Sequence, residues 1–205
     1  MSDSLVITDL PLSLLFCSLL IKALIILKQL IIEIIRLRKT TDKYFDDFKR
    51  IYTQSFPKHE QRTDEQHLYA LAQDRCHIAI YVVNEGVVAF IVYWDFTNYI
   101  YIEHLAITPI HRGQNYGTII LSQFIKANPK TVILEIDPLV DELSIKRFEF
   151  YKRIGFIKNS YNHKHPAYRK EFTAHQLIVL SVSTTLSCEQ YDQFVLDLKS
   201  VVMNS

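Results

Sequence analysis

The stretch that most constrains the fold is Tyr99 to Ile125, YIYIEHLAITPIHRGQNYGTIILSQFI. Its first part alternates and is rich in β-branched and aromatic residues, the pattern of a buried strand, and Pro109 ends it. A short basic turn follows, His111 to Gly117. Beyond it the period changes: Ile120, Leu121, Phe124 and Ile125 fall on one side of a helix that Pro129 stops. A strand, a glycine-containing turn and a helix start make an anion site. The unpaired amides of the first helical turn point into the loop, and the helix dipole adds partial positive charge. Gly113 and Gly117, two of the chain's four glycines, let the backbone come close to a ligand. The turn lacks the Lys-Ser/Thr ending of a P-loop and the glycine spacing of a dinucleotide site, so by itself it names no ligand.

Arg112-Gly113-Gln114-Asn115-Tyr116-Gly117 resembles the acetyl-CoA-binding motif of the GNAT acetyltransferase superfamily: Arg or Gln, two residues, Gly, one residue, then Gly or Ala. Asn115 replaces the middle glycine, and Asn tolerates the left-handed conformation better than most residues. A second segment, Ser144 to Phe156, also resembles the family, with the aromatic pair Phe150-Tyr151, three residues, then Gly155-Phe156. The resemblance runs from about Ile34 to the end of the chain. It implies an α/β (α+β) fold with a central mixed, mostly antiparallel sheet of about seven strands flanked by helices. It also implies direct transfer of acetyl from acetyl-CoA to an amine of a small molecule, peptide or protein, with no metal.

The resemblance assigns roles residue by residue. The amides of Gly113, Gln114, Asn115, Tyr116, Gly117 and Thr118 would hold the CoA pyrophosphate, with Arg112 adding charge. The strand carrying Leu105, Ala106 and Ile107 would splay from its neighbour and offer backbone groups to the pantetheine arm and the acetyl group, one amide acting as oxyanion donor. Ser144 stands where many members have an Asn that contacts the cofactor. Tyr151 matches the tyrosine that commonly protonates the departing CoA thiolate. Ser144, Phe148 and Tyr151 are spaced to share one helix face. A phenol, with a pKa of about 10, suits a thiolate of similar basicity because the proton then moves at little cost.

The attacking amine must first lose a proton, and two glutamates are candidate bases. Glu103 lies on the strand entering the glycine turn, where strand alternation puts Tyr101, Glu103 and Leu105 on one face. Glu135 lies on the neighbouring strand and resembles the Leu-Glu-Val position that serves as base in some protein-acetylating members. A carboxylate flanked by Ile and Leu is costly unless used or paired, and burial would raise its pKa toward that of a useful base. A structural hydrogen-bonded carboxylate is the alternative for each. Glu103 is the preferred base, directly or through water.

The remaining chain fits around this centre. The 205 residues suffice for one well-buried domain plus an extension. A net charge of +1 gives no electrostatic footprint for nucleic acid. Cys17, Cys76 and Cys188 lie far apart, with neither metal-ligand spacing nor an even disulfide framework, so a reduced, cytoplasmic compartment is expected. Residues 1–33 form an apolar extension before a domain over 34–205. From Leu12 onward Ser18, Lys22, Gln29 and Glu33 recur as a polar stripe on an otherwise apolar helix. No uncharged run reaches the roughly 18–20 residues of a plain transmembrane helix, and Met1-Ser2-Asp3-Ser4 lacks the positive start of a signal peptide. Three readings stand for residues 5–35: a membrane-associated helix on the cytoplasmic side, a helix packed on the domain or a partner, or a stretch outside the functional protein with the start set too far upstream. The runner-up function follows from the first: a non-catalytic CoA-binding regulatory module tethered to a membrane.

Ile34 to Arg38 alternates as a first strand. Thr41 or Asp42 can cap a helix carrying an aromatic stripe, Tyr44, Phe45, Phe48, Tyr52 and Phe56, which Pro57 breaks. The stripe suits core packing, and Tyr52 or Phe56 is placed to touch substrate. Lys58 to Arg62 reads as a solvated loop and Thr63 to Arg75 as a second helix. Strands over 77–83 and 87–96 flank the hairpin turn Asn84-Glu85-Gly86. Thr131 to Asp137 follows the helix after Gly117 and should lie parallel to the strand before it. Asp141 can cap a helix that Gly155 ends. Strands near 156–159 and 175–182 and a final helix over 188–201 complete the chain. In the loop Tyr161 to Arg169, His163 and His165 share a strand face without a further metal ligand, and Arg169 suits either an acidic acceptor or solvent.

Overall fold

The structure, a computed structural model, describes residues 31–204. The readings made for residues 1–30, including the extension's polar stripe and its membrane contact, lie outside the described residues. Among the described residues no helix is long and apolar enough to cross a membrane.

Three antiparallel strands form one side of the sheet: β1 (Glu33–Leu37), β2 (Cys76–Val83) and β3 (Gly86–Asp95). Between β1 and β2 come α1 (Phe45–Ser55) and α2 (Asp64–Ala72). β4 (Tyr99–Ile107) pairs antiparallel with β3, and α3 (Tyr116–Ala127) crosses to β5 (Thr131–Ile136), which lies parallel to β4 as the crossover predicts. After α4 (Glu142–Arg153) come β6 (Phe156–Lys158), β7 (His163–His165), β8 (His175–Val182) and α5 (Cys188–Asp197). The order across the sheet is β1-β2-β3-β4-β5-β8-β6, with β7 also paired to β8. Among the described residues there are eight strands where about seven were expected. The additional one, β7, has no apolar run to announce it.

Caps and breakers act where the sequence places them, with two differences. Thr63 with Gln66, and Asp141 with Ser144, form capping boxes at the starts of α2 and α4. Asp42 does not cap α1; its carboxylate instead accepts the amides of Arg38 and Lys39 at 2.7 and 3.2 Å, closing the turn after β1. The helix expected to reach Arg75 stops at Ala72, so that β2 can begin at Cys76.

The sheet is covered on both faces. One core gathers Phe48, Ile51 and Tyr52 of α1, Ala70 of α2 and Phe194 of α5. The other gathers Ile120, Leu121 and Phe124 of α3 and Tyr151 of α4. Burial on both faces explains why β2 to β5 read as near-continuous apolar runs.

A β-bulge interrupts β4. Val92 pairs with His104 and Tyr93 with Ile102, leaving Glu103 as the extra residue. Strict alternation put Tyr101, Glu103 and Leu105 on one face, and the bulge overturns that expectation. Tyr101 and Ala106 join the α1 side, where Glu103 and His104 also turn, while Leu105 and Ile107 pack on the α3 side.

Candidate active site

β4 and β5 are paired only from Tyr99–Thr131 to Ile102–Leu134. Beyond that, Glu135 and Ile136 pair with β8, and β4 continues beside β3 alone. The bulge bends β4 at the place where the two strands part. The gap opens a cleft of about 640 Å³, and the backbone of Leu105, Ala106 and Ile107 presents an unpaired edge to it. Backbone donors and acceptors on such an edge must find partners from side chains, solvent or a ligand.

The turn beyond β4 lies beside the cleft, with Arg112 on its wall. Gly113 has φ 75° and Asn115 φ 65°, so Asn115 adopts the left-handed conformation its chemistry suits and stands at the N-cap of α3. Among the described residues the amides of Gly113, Gln114, Asn115, Tyr116, Gly117 and Thr118 donate no backbone hydrogen bond, and Ile119 is the first to bond back, to the Asn115 carbonyl. Gly117 serves packing more than ligand approach: a Cβ there would lie 3.3 Å from Cζ of Phe150 on α4. The Arg112 side chain folds back, its Nε donating to the Ile107 carbonyl at 3.2 Å.

Tyr151 reaches the cleft from α4. Burial pushes its phenol up to about 12, so the hydroxyl carries its proton at neutral pH. Its hydroxyl makes no hydrogen bond among the described residues, whereas the Ser144 hydroxyl is engaged in the capping box with Asp141, donating to the Asp141 carbonyl at 2.9 Å.

The two glutamates differ sharply. Glu103 Oε1 accepts from Arg62 Nε at 2.7 Å and from the Tyr168 hydroxyl at 3.0 Å, and its Oε2 accepts from the Trp94 indole at 2.7 Å. Burial works to raise this carboxyl, but Arg62, His104 and the Trp94 hydrogen bond outweigh it and hold the group at about 2. A carboxylate so engaged is a poor proton acceptor, which weighs against the expectation that made Glu103 the preferred base. Arg62 is itself buried and donates through Nη2 to the Val202 carbonyl at 2.6 Å, tying β4 to the end of the chain.

Glu135 faces the cleft from β5. It accepts from the Tyr101 hydroxyl and contacts His163 Nε2, and His165 Nε2 lies 3.8 Å from its Oε2. Burial would raise this carboxyl, yet His165, His163 and Tyr101 leave it below the ordinary range.

Several cleft residues carried little signal in the sequence. His165, Tyr168 and His175 come from β7, β8 and the loop between them. The i, i+2 spacing of His163 and His165 was the available cue, and the structure buries both while exposing Lys164. Glu60, expected in a solvated loop, lines the cleft, and burial and then Asp137 raise its carboxyl. Phe56 reaches the cleft, whereas Tyr52 is buried, its hydroxyl accepting the Arg62 amide at 2.8 Å. Arg169 donates through Nε and Nη2 to the Gln61 and Arg62 carbonyls, both at 3.1 Å. Among the described residues no cluster of three His, Cys, Asp or Glu side chains could hold a metal ion.

The model of the Acetyltransferase (GNAT) family matches residues 42–156, more than half of the chain. The chain belongs to the GNAT acetyltransferase family. A candidate acetyltransferase of Bacillus subtilis, YjbC, is 32% identical over 104 residues, which cover 49% of this GNAT chain and 52% of that protein. The chain thus matches about half the length of that curated relative. A candidate GNAT acetyltransferase from Bacteroides thetaiotaomicron shares the fold with a TM-score of 0.77 and 23% identity, over 84% of this chain and 99% of that one. Arabidopsis thaliana Naa50, solved with a bisubstrate analogue joining CoA to a peptide, shares it with a TM-score of 0.55 and 19% identity, over 75% and 99%.

Proposed function

We propose that this GNAT chain transfers the acetyl group of acetyl-CoA directly to an amine. The observation that carries this is the meeting, on one cleft, of the unpaired β4 edge, the amide-rich turn and the Tyr151 hydroxyl. In this account the free amides from Gly113 to Thr118 hold the pyrophosphate, because an anion supplies the acceptors they lack and the α3 dipole favours its charge. Leu105, Ala106 and Ile107 pair through their backbone with the pantetheine arm, and an amide on that edge steadies charge growing on the thioester oxygen. Tyr151 then protonates the sulfur as it leaves. Ser144 acts through its cap at the start of α4, not through its hydroxyl at the cofactor. Glu103 holds the bulge and the loop around Arg62, and Glu135 supplies negative charge next to the reacting nitrogen.

The test is incubation of the full chain with acetyl-CoA and an acceptor pool of random pentapeptides, polyamines and amino sugars. Thiol release is followed and products are read by mass spectrometry. An amine product gaining one acetyl group is expected. Acetyl-CoA binding with thiol release at background across the pool would contradict catalysis.

A further inference from the structure

His165 is buried, at 2% exposure, yet it faces the cleft that Tyr151 also lines. Its Nδ1 lies 2.6 Å from the Pro166 carbonyl, which can only accept, so Nδ1 carries a proton. Nε2 is buried beneath the cleft surface and has no hydrogen-bond partner. In the neutral ring that atom bears a lone pair.

We propose that His165 Nε2 takes the proton from the acceptor ammonium, with Glu135 as the group that stabilises the imidazolium so formed. The inference rests on the acetyl-transfer reading above. Glu135 Oε2 is 3.8 Å from Nε2, so the pair gains Coulomb attraction only once Nε2 is protonated. The Glu135 carboxylate is itself fixed by Tyr101 and His163. His163 cannot take the same role, since its Nδ1 meets the Tyr191 hydroxyl at 3.0 Å while Nε2 meets Glu135. The other groups facing His165 are His104 from β4, His175 from β8 at 5.5 Å between rings, and Tyr168 stacked on it at 5.0 Å. Burial holds His104 at about 4 and keeps His175 below its ordinary range, so neither opposes the new charge near neutral pH.

The protons and bonds balance. The ammonium gives its first proton to Nε2. The amine nitrogen bonds to the carbonyl carbon as the carbon–sulfur bond breaks. The nitrogen's second proton replaces the one Tyr151 gives to sulfur, and His165 returns its proton to solvent.

Two measurements decide the matter. Long-range nitrogen–proton NMR correlation on the wild-type chain should show neutral His165 with its proton on Nδ1; a proton on Nε2 overturns the proposal. Thiol release with the pentapeptide, polyamine and amino-sugar pool is then followed against pH. His165→Gln should bind acetyl-CoA normally in calorimetry, lose about 10²–10⁴-fold in turnover, and lose the acidic limb of the rate profile. His163→Gln, which also perturbs Glu135, should keep that limb. A His165→Gln profile matching wild type overturns this proposal alone, and absence of acetyl-CoA binding by the wild-type chain overturns the acetyl-transfer reading with it. If His165→Gln fails to fold, His165→Asn and the tautomer measurement decide.

Discussion

In the proposed reaction the Tyr151 phenol is the proton donor, whereas the Glu103 carboxylate holds buried structure together. Tyr151→Phe removes a hydroxyl without a hydrogen-bond partner among the described residues, so the melting temperature and acetyl-CoA affinity should survive while turnover falls about 10²–10⁴-fold. Near-normal turnover would leave Tyr151 as a core aromatic only. Glu103→Gln should act in the opposite way. It leaves the buried Arg62 charge unpaired, at a cost of roughly 3–5 kcal/mol, read as a large drop in melting temperature. Adding Arg62→Met should recover part of that loss. A Glu103→Gln variant that melts like wild type but loses turnover would restore Glu103 as the base. The place of Tyr151 on the cleft was legible in the sequence because the aromatic pair and Gly155-Phe156 frame it. The state of Glu103 was not, because Arg62, Trp94 and Tyr168 reach it from 41, 9 and 65 residues away.

At the level of elements, strand β4, the turn and α3 were legible together, since alternation, Pro109, the glycines and the helical period each mark a boundary. The bulge was not: one extra residue leaves composition unchanged while moving Leu105 to the opposite face. Strand β7 was missed for a related reason. Three residues, His163, Lys164 and His165, offer alternation without apolarity, and the two histidines are buried against Glu135 and aromatic rings rather than an aliphatic core. The seating of α3 on α4 sets the position of the turn relative to Tyr151. Gly117→Val would drive a side chain into Phe150 and should destabilise by about 1–3 kcal/mol in a denaturant titration. Combining it with Phe150→Leu should relieve most of the loss. An unchanged midpoint for Gly117→Val alone would show that the two helices have room to spare.

For the molecule as a whole, buried ionisable groups set how stability follows pH. Burial holds His67 at about 3 and His104 at about 4, against an ordinary value of 6.5. Between those values the unfolded chain binds more protons, so the stability they contribute is complete above about pH 6.5 and is lost as pH falls toward 4. Glu103, held at about 2 against 4.5, adds a second loss below about pH 4.5. Melting temperature should therefore be flat above about pH 6.5 and fall continuously below it; a flat curve down to about pH 4 would mean these histidines reach solvent. Calorimetric titration of acetyl-CoA into Thr118→Glu beside wild type shows whether the turn that opens α3 holds the cofactor. Thr118 is exposed in the first turn of α3, where a carboxylate favours the helix dipole, so the variant should melt no lower than wild type. The same carboxylate would face the pyrophosphate, so one acetyl-CoA per chain is expected to bind wild type and binding to Thr118→Glu to be lost or weakened at least tenfold, a change of about 1.4 kcal/mol. Equal affinity in the two proteins would contradict the assignment of this turn to the cofactor.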